Sequence, residues 1–117
     1  MQKHSPEGVT LHCDFCGGHW DMLKPMIEGH HGSILCLDCL AKAIDQSADA
    51  TADFKCTLCL RDFEAGSEKV YTPTPVPEGA NKLAKLCWDC ARQADRAFAA
   101  DPETAWERRV PPDKRWR

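Results

Sequence analysis

Eight cysteines carry the chemistry in this 117-residue sequence, and all of them stand in Cys-x-x-Cys pairs: Cys13/Cys16, Cys36/Cys39, Cys56/Cys59 and Cys87/Cys90. Such pairs can ligate a metal, form disulfides or exchange thiols. On a tight turn a Cys-x-x-Cys pair points both sulfurs to one side. That is half of a tetrahedral site, and a second pair completes it. The thiol-exchange reading wants one such motif beside a βαβ pattern, and none is visible. Disulfides want an oxidising compartment. The opening stretch MQKHSPEGVT has no basic start followed by an apolar run, so no signal peptide is expected. No stretch approaches the roughly 18 apolar residues of a membrane span. A cytoplasmic chain holding two Zn2+ ions is therefore expected, with iron–sulfur or rubredoxin-like iron as the other option.

Four cysteines around one zinc leave no open position for water or substrate. The metal is thus expected to be structural, and the chain is expected not to be an enzyme. The formal net charge of −3 argues against a general polycation that seeks nucleic acid.

The elements that must position these sulfurs repeat. LHCDFC, a spacer and ILCLDCLAKAI make one copy; FKCTLC, a longer spacer and KLCWDCARQADRAF make the other. The spacers hold 19 and 27 residues, and the excess is explained by TPTPVPEG, expected to be an extended, polyproline-like connector. The small polar run DQSADATAD reads as a linker. In copy one, Gly17 and Gly18 suit the tight turn after Cys16. Strands are expected over 22–27 and 33–35, joined by the turn EGHHG, with Pro25 confining the first to an edge. A helix is expected from Cys36 over 36–44, so that the second thiolate pair sits at a helix N-terminus. Copy two repeats the plan, with a strand over 68–71 and a helix over 88–99. Knuckle, hairpin and helix describe a treble clef. The expected fold is thus a small, metal-stabilised α+β chain of two tandem treble clefs, 1–48 and 49–104, followed by a basic tail, 105–117.

Sequential pairing would give Cys13, Cys16, Cys36 and Cys39 one zinc and Cys56, Cys59, Cys87 and Cys90 the other. It completes a site within each copy and closes the shorter loops. A cross-brace would interleave the pairs and merge the copies. Each half is small and has few large apolar residues, so the metal is expected to be needed for folding.

Residues 11–45 resemble the N-terminal zinc-binding domain of the ClpX protein unfoldase. The matching positions are Cys13, Cys16 and Gly17 of the knuckle, Ile27 and Gly29 of the strand ending, and Cys36 and Cys39 leading into a helix, with Leu35 in place of an isoleucine. Copy two matches less well, and Leu60 replaces the glycine after its knuckle. The resemblance implies a treble clef that dimerises and binds adaptor proteins and some substrates without catalysis. The chain contains no Gly-x-x-x-x-Gly-Lys-Ser/Thr loop, so no ATPase is expected.

The remaining residues discriminate between functions. His30 and His31 could suggest an HNH-type nuclease, but a polar turn is favoured. The nuclease pattern wants a histidine in the helix after the last cysteines, where Leu40 and Ala91 stand. Trp20 and Trp88 are expected to cap thin cores. The tail AWERRVPPDKRWR, with Arg108, Arg109, Lys114, Arg115 and Arg117, could contact nucleic acid, but a solvated, removable terminus is favoured. Asp101-Pro102-Glu103 reads as the start of a short last helix.

The expected function is a non-catalytic protein-interaction module. A nucleic-acid-binding regulator is the alternative and an HNH-type nuclease the third reading. Because the family's domains dimerise and this chain holds two copies, they are expected to pack as an intramolecular pseudo-dimer. Leu23, Ile27, Leu35, Leu40 and Ile44 would then face Val70, Leu86, Trp88 and Phe98.

Overall fold

A computed structural model of the chain describes residues 1–20 and 25–110. It is a small α+β structure of two helices and short antiparallel strand pairs. In chain order come β1 (Gln2–Ser5), β2 (Gly8–Leu11), β3 (Met26–Glu28), a 3-10 turn (His30–Gly32), β4 (Ile34–Cys36) and α1 (Leu37–Gln46). Then follow β5 (Ala48–Asp49), β6 (Phe54–Lys55), β7 (Asp62–Phe63), β8 (Lys69–Tyr71), β9 (Leu86–Cys87) and α2 (Trp88–Ala100). β1 pairs with β2, β3 with β4, β6 with β7, and β8 lies between β5 and β9. Among the described residues no helix is long and apolar enough to cross a membrane.

Both helices start where the second cysteine pair of each copy begins, for a local reason. Cys36 and Cys87 have extended backbone, and their sulfurs accept from the amides of Cys39 and Cys90. Each sulfur thus takes the place of the oxygen that usually caps a helix N-terminus. Asp38 and Asp89 add negative charge in the first turn, where the helix dipole favours it. α1 buries Cys39, Leu40 and Ala43; α2 buries Cys90, Ala91, Ala94, Asp95 and Phe98. These are matching single faces at helical spacing.

One apolar cluster draws on both copies. Phe15, Leu35 and Leu40 of the first join Tyr71, Leu86 and Phe98 of the second, with Ile27, Ile44, Val70 and Trp88 packed at its margin. The Phe15 and Tyr71 rings stack across it at 6.2 Å. Leu23 lies outside the described residues. Hydrogen bonds between the copies run in both directions. His30 N donates to Leu58 O in the second knuckle at 2.8 Å, and Asn81 N donates to Asp14 O in the first at 2.8 Å. Each donor lies six residues before the third cysteine of its own copy. The approach is close: a Cβ on Gly29 would stand 2.7 Å from Leu58 O, and one on Gly17 would stand 2.8 Å from the Gly79 carbonyl carbon.

Several expectations need correction. The run 45–53 is not a free linker. It finishes α1, forms β5 against β8, and buries Ala50, whose backbone bonds to Glu68 and Gly66. The proline-rich run is not an extended connector. It turns where Ala80 N donates to Pro77 O, and it packs Gly79 against the first knuckle. No last helix starts at Asp101. That residue caps α2, and its carboxylate accepts from Glu103 N and Thr104 Oγ1. The strand expected over 22–27 is seen as β3, Met26–Glu28, which excludes Pro25; residues 22–24 lie outside the described residues. The N-terminal β1–β2 hairpin, which had no counterpart among the expected elements, pairs Gln2 with Leu11 and Ser5 with Gly8.

The first part of the tail is likewise not a solvated terminus. Trp106 packs near Phe98 with ring centroids 6.3 Å apart, and Val110 is buried. The anchor is Asp95, fully buried on α2. It accepts from Trp106 Nε1 at 2.9 Å, Arg109 N at 2.9 Å and Val110 N at 3.0 Å. Trp116, Lys114, Arg115 and Arg117 lie outside the described residues.

Candidate metal centres

Each centre is built from a knuckle and a helix start. In the first knuckle Cys13 N donates to Gly18 O at 2.9 Å and Gly17 N to Cys13 O at 2.8 Å. In the second, Cys56 N donates to Arg61 O at 3.0 Å and Leu60 N to Cys56 O at 2.9 Å. The residue after each pair must adopt positive φ, which is +77° at Gly17 and +60° at Leu60. Glycine does this without a steric penalty, whereas leucine bears strain of about 1–2 kcal/mol. The backbone shape is therefore kept in copy two although its glycine is not.

A matching pair of hydrogen bonds fixes each knuckle to the strand that leads to its helix. Asp14 N donates to Ile34 O and Asp14 Oδ1 accepts from Ile34 N, both at 2.9 Å. Thr57 N donates to Lys85 O at 2.8 Å and Thr57 Oγ1 accepts from Lys85 N at 2.9 Å. This bracket carries the first Cys-x-x-Cys of a copy to the second. Asp14 also receives Asn81 Nδ2 from the other copy at 3.0 Å.

The sulfurs gather as Cys13, Cys16, Cys36 and Cys39, and as Cys56, Cys59, Cys87 and Cys90, with all ligand atoms of a group within 4.8 Å of one another. This is sequential pairing, not a cross-brace. The Sγ–Sγ distances are 3.7 Å for Cys13–Cys39 and for Cys16–Cys36, 3.8 Å for Cys56–Cys90 and 3.9 Å for Cys59–Cys87. Sulfurs bound at about 2.3 Å around a tetrahedral zinc stand about 3.8 Å apart. All eight cysteines are free of disulfides. The chain is thus positioned to hold two zinc ions, one per group.

The electrostatics fit a cation in each group. Cys13 is lowered to about 7: Cys16 pushes it up, but hydrogen bonds with Cys36 and Cys39 pull it down further. Hydrogen bonds from Cys13, Cys36 and Cys39 hold Cys16 far below the thiol range. The cost falls on the other two sulfurs, because Cys13 and Cys16 push Cys36 and Cys39 far upward. In the second group Cys87 and Cys90 pull Cys56 down, while Cys56 pushes Cys87 up to about 12 and Cys90 higher still. Four thiols this close cannot all ionise unaided, and a divalent cation at the centre removes that obstacle.

The residues that touch the sulfurs differ between the two groups. Arg61 Nε donates to Cys59 Sγ at 3.3 Å, its Nη2 stands 4.0 Å from Cys87 Sγ, and Asp89 holds that Nη2 at 2.7 Å. The sulfur of Cys59, then Asp89, raises the guanidinium pKa. Burial, then the thiols of the first group, raises Tyr71. The matching knuckle position in the first group is Gly18, whose amide donates to Cys16 Sγ at 3.4 Å.

His30 and His31 stand on the 3-10 turn, outside both sulfur groups. Trp20 and Trp88 are half-buried, and Trp88 lies under the Lys69 ammonium at 5.2 Å. Asp14, Thr57, Arg61 and Asp95 were not singled out in the sequence. Aligning the copies would have shown an acceptor at the second position of each knuckle. Asp95 is a lone carboxylate on the apolar face of α2, visible from helical spacing alone. Nothing in the pattern points to Arg61.

No family model matches the chain, and neither a curated protein nor a solved structure matches it.

Proposed function

We propose that this chain is a non-catalytic protein-interaction module of the cytoplasm. In this reading two treble clefs, the first of the ClpX zinc-binding type, dock on one another as an intramolecular pseudo-dimer around two structural zinc ions. The observation that carries it is a pair of hydrogen bonds in opposite directions, His30 N to Leu58 O and Asn81 N to Asp14 O. Donors at equivalent positions of the two copies each grip the other's knuckle, at neighbouring rather than identical knuckle positions, which supports an approximate two-fold docking. Four sulfurs per centre leave no coordination position for a substrate, which supports a recognition role over metal catalysis.

A groove of about 360 Å3 runs between the copies, lined by His30, Lys55, Leu60, Asn81 and Leu83 among others. Leu83, 82 % exposed, is one of its lining residues and offers the apolar contact that this reading assigns to a protein partner. The nucleic-acid alternative is weakened by internal use of the tail's first arginines. The Arg109 guanidinium stacks on Trp106 at 4.5 Å, and Arg108 Nε lies 4.0 Å from buried Asp95.

The test is capture from cytoplasmic extract by the zinc-loaded chain. A retained protein that is lost with Leu83→Lys is expected, with no shift of random DNA or RNA. A nucleic-acid shift that weakens steeply with salt, with no protein retained, would establish the alternative instead.

A further inference from the structure

We propose that the first zinc centre is a site of modification by hydroperoxides and the second is shielded from them, so that oxidation removes one zinc before the other. The inference goes beyond the interaction role and rests only on the two four-sulfur groups.

A tetrathiolate zinc centre carries a net charge of −2, and its sulfurs keep nucleophilic lone pairs. The metal holds these sulfurs as thiolates already, so a hydrogen bond or nearby cation does not raise the thiolate fraction but withdraws electron density and lowers nucleophilicity. In the second centre the Arg61 guanidinium donates to Cys59 Sγ at 3.3 Å and also approaches Cys87 Sγ. Asp89 fixes the guanidinium there at 2.7 Å, so the cover is held in place. Cys59 and Cys16 are the half-buried members of their groups, hence the sulfurs that solvent-borne reagents meet first. Cys59 is capped by a cation. At Cys16 the equivalent residue is Gly18, which has no side chain and offers one neutral amide at 3.4 Å.

The chemistry closes without further reagents. A Cys16 thiolate gives an electron pair to the hydroperoxide: an S–O bond forms, the O–O bond breaks, and hydroxide or alkoxide departs. Cys36 Sγ, 3.7 Å away, then attacks the Cys16 sulfenic sulfur and expels hydroxide, which leaves a disulfide. The two sulfurs have lost two electrons and the peroxide has gained them. With two of four ligands gone, the centre releases its zinc.

The experiment uses the full chain with two bound zinc ions verified beforehand. Hydrogen peroxide is added, a chromogenic chelator follows zinc release, and mass spectrometry maps oxidised cysteines at early times. The first zinc equivalent is expected to leave at least about tenfold faster than the second, from the strength of a hydrogen bond to a charged group. Early disulfides are expected among Cys13, Cys16, Cys36 and Cys39 only. Arg61→Gln should bring the second release close to the first, while Arg61→Lys should retain part of the protection. If both ions leave together, the proposal is overturned, whichever group the early map marks. Earlier oxidation of the second group overturns it, as does a folded Arg61→Gln chain with an unchanged rate ratio. None of these outcomes bears on whether the chain captures a protein partner, so the two readings fail separately.

Discussion

Replacing Asp95 with alanine should release the segment after α2 and lower stability by about 3 kcal/mol. The side chain is fully buried and accepts from Trp106 Nε1, Arg109 N and Val110 N, all within 3.0 Å. Hydrogen bonds to a charged group contribute roughly 1.5–3 kcal/mol each, so three donors left unsatisfied in place would cost well above 3 kcal/mol. The chain has a cheaper route, because the segment can lift off and give those donors to water. The loss is then capped by what docking buries, namely part of the Trp106 ring against Phe98 and the Val110 side chain. At about 1.5–3 kcal/mol for a fully buried large apolar side chain, that cap lies near 3 kcal/mol. Asp95→Asn keeps the shape and one acceptor, but turns an amide donor toward donors, so it should fall between alanine and the parent. Urea unfolding of the zinc-loaded protein measures the change. Hydrogen exchange at Arg109 and Val110 locates it, since those amides should lose protection while the helices keep theirs. An alanine variant with an unchanged midpoint and protected Arg109 and Val110 amides would refute the reasoning.

Gly29→Ala should destabilise the docking of the copies by about 1–3 kcal/mol, because the added Cβ meets Leu58 backbone at 2.7 Å; thermal unfolding would show it. Leu60→Gly should raise stability by up to about 1 kcal/mol by relieving the positive φ of +60°, offset by lost side-chain packing. Elemental analysis should find two zinc ions per chain. A strong chelator should abolish the helical circular dichroism, since structural zinc contributes on the order of 10 kcal/mol. Acidification should release the metal as protons compete for the thiolates, and an acid-resistant metal content would argue against tetrathiolate ligation.

The ligand set was legible from spacing because a Cys-x-x-Cys turn is a local object. Three residues of chain separate its sulfurs, and the backbone has few ways to close that turn. The helices were legible for the same reason: Cys36 and Cys87 cap the segments they begin, so α1 and α2 start within a residue of the expected positions. β3, β4 and β8 were expected close to where they stand, but the two-residue strands β5, β6, β7 and β9 were not, since no alternation can be read over so short a run. The run 45–53 looked like a linker because small polar residues carry no periodic signal. Its pairing with β8 is a contact over about twenty residues that composition cannot encode.

What joins distant parts of the chain was written nowhere in a local pattern. Asp14 and Asn81 are 67 positions apart, and their bond exists only because both copies close on one core. Helical spacing puts Asp95 on the apolar face of α2, but its partners arrive only when the segment from Trp106 to Val110 folds over it. Arg61 became a metal-centre residue because Asp89, at the start of α2, turned its guanidinium toward the sulfurs. Zinc ligation needs geometry that four short turns supply. Burying a charge or docking two knuckles needs partners that arrive from far along the chain, and their identity is set by packing rather than by spacing.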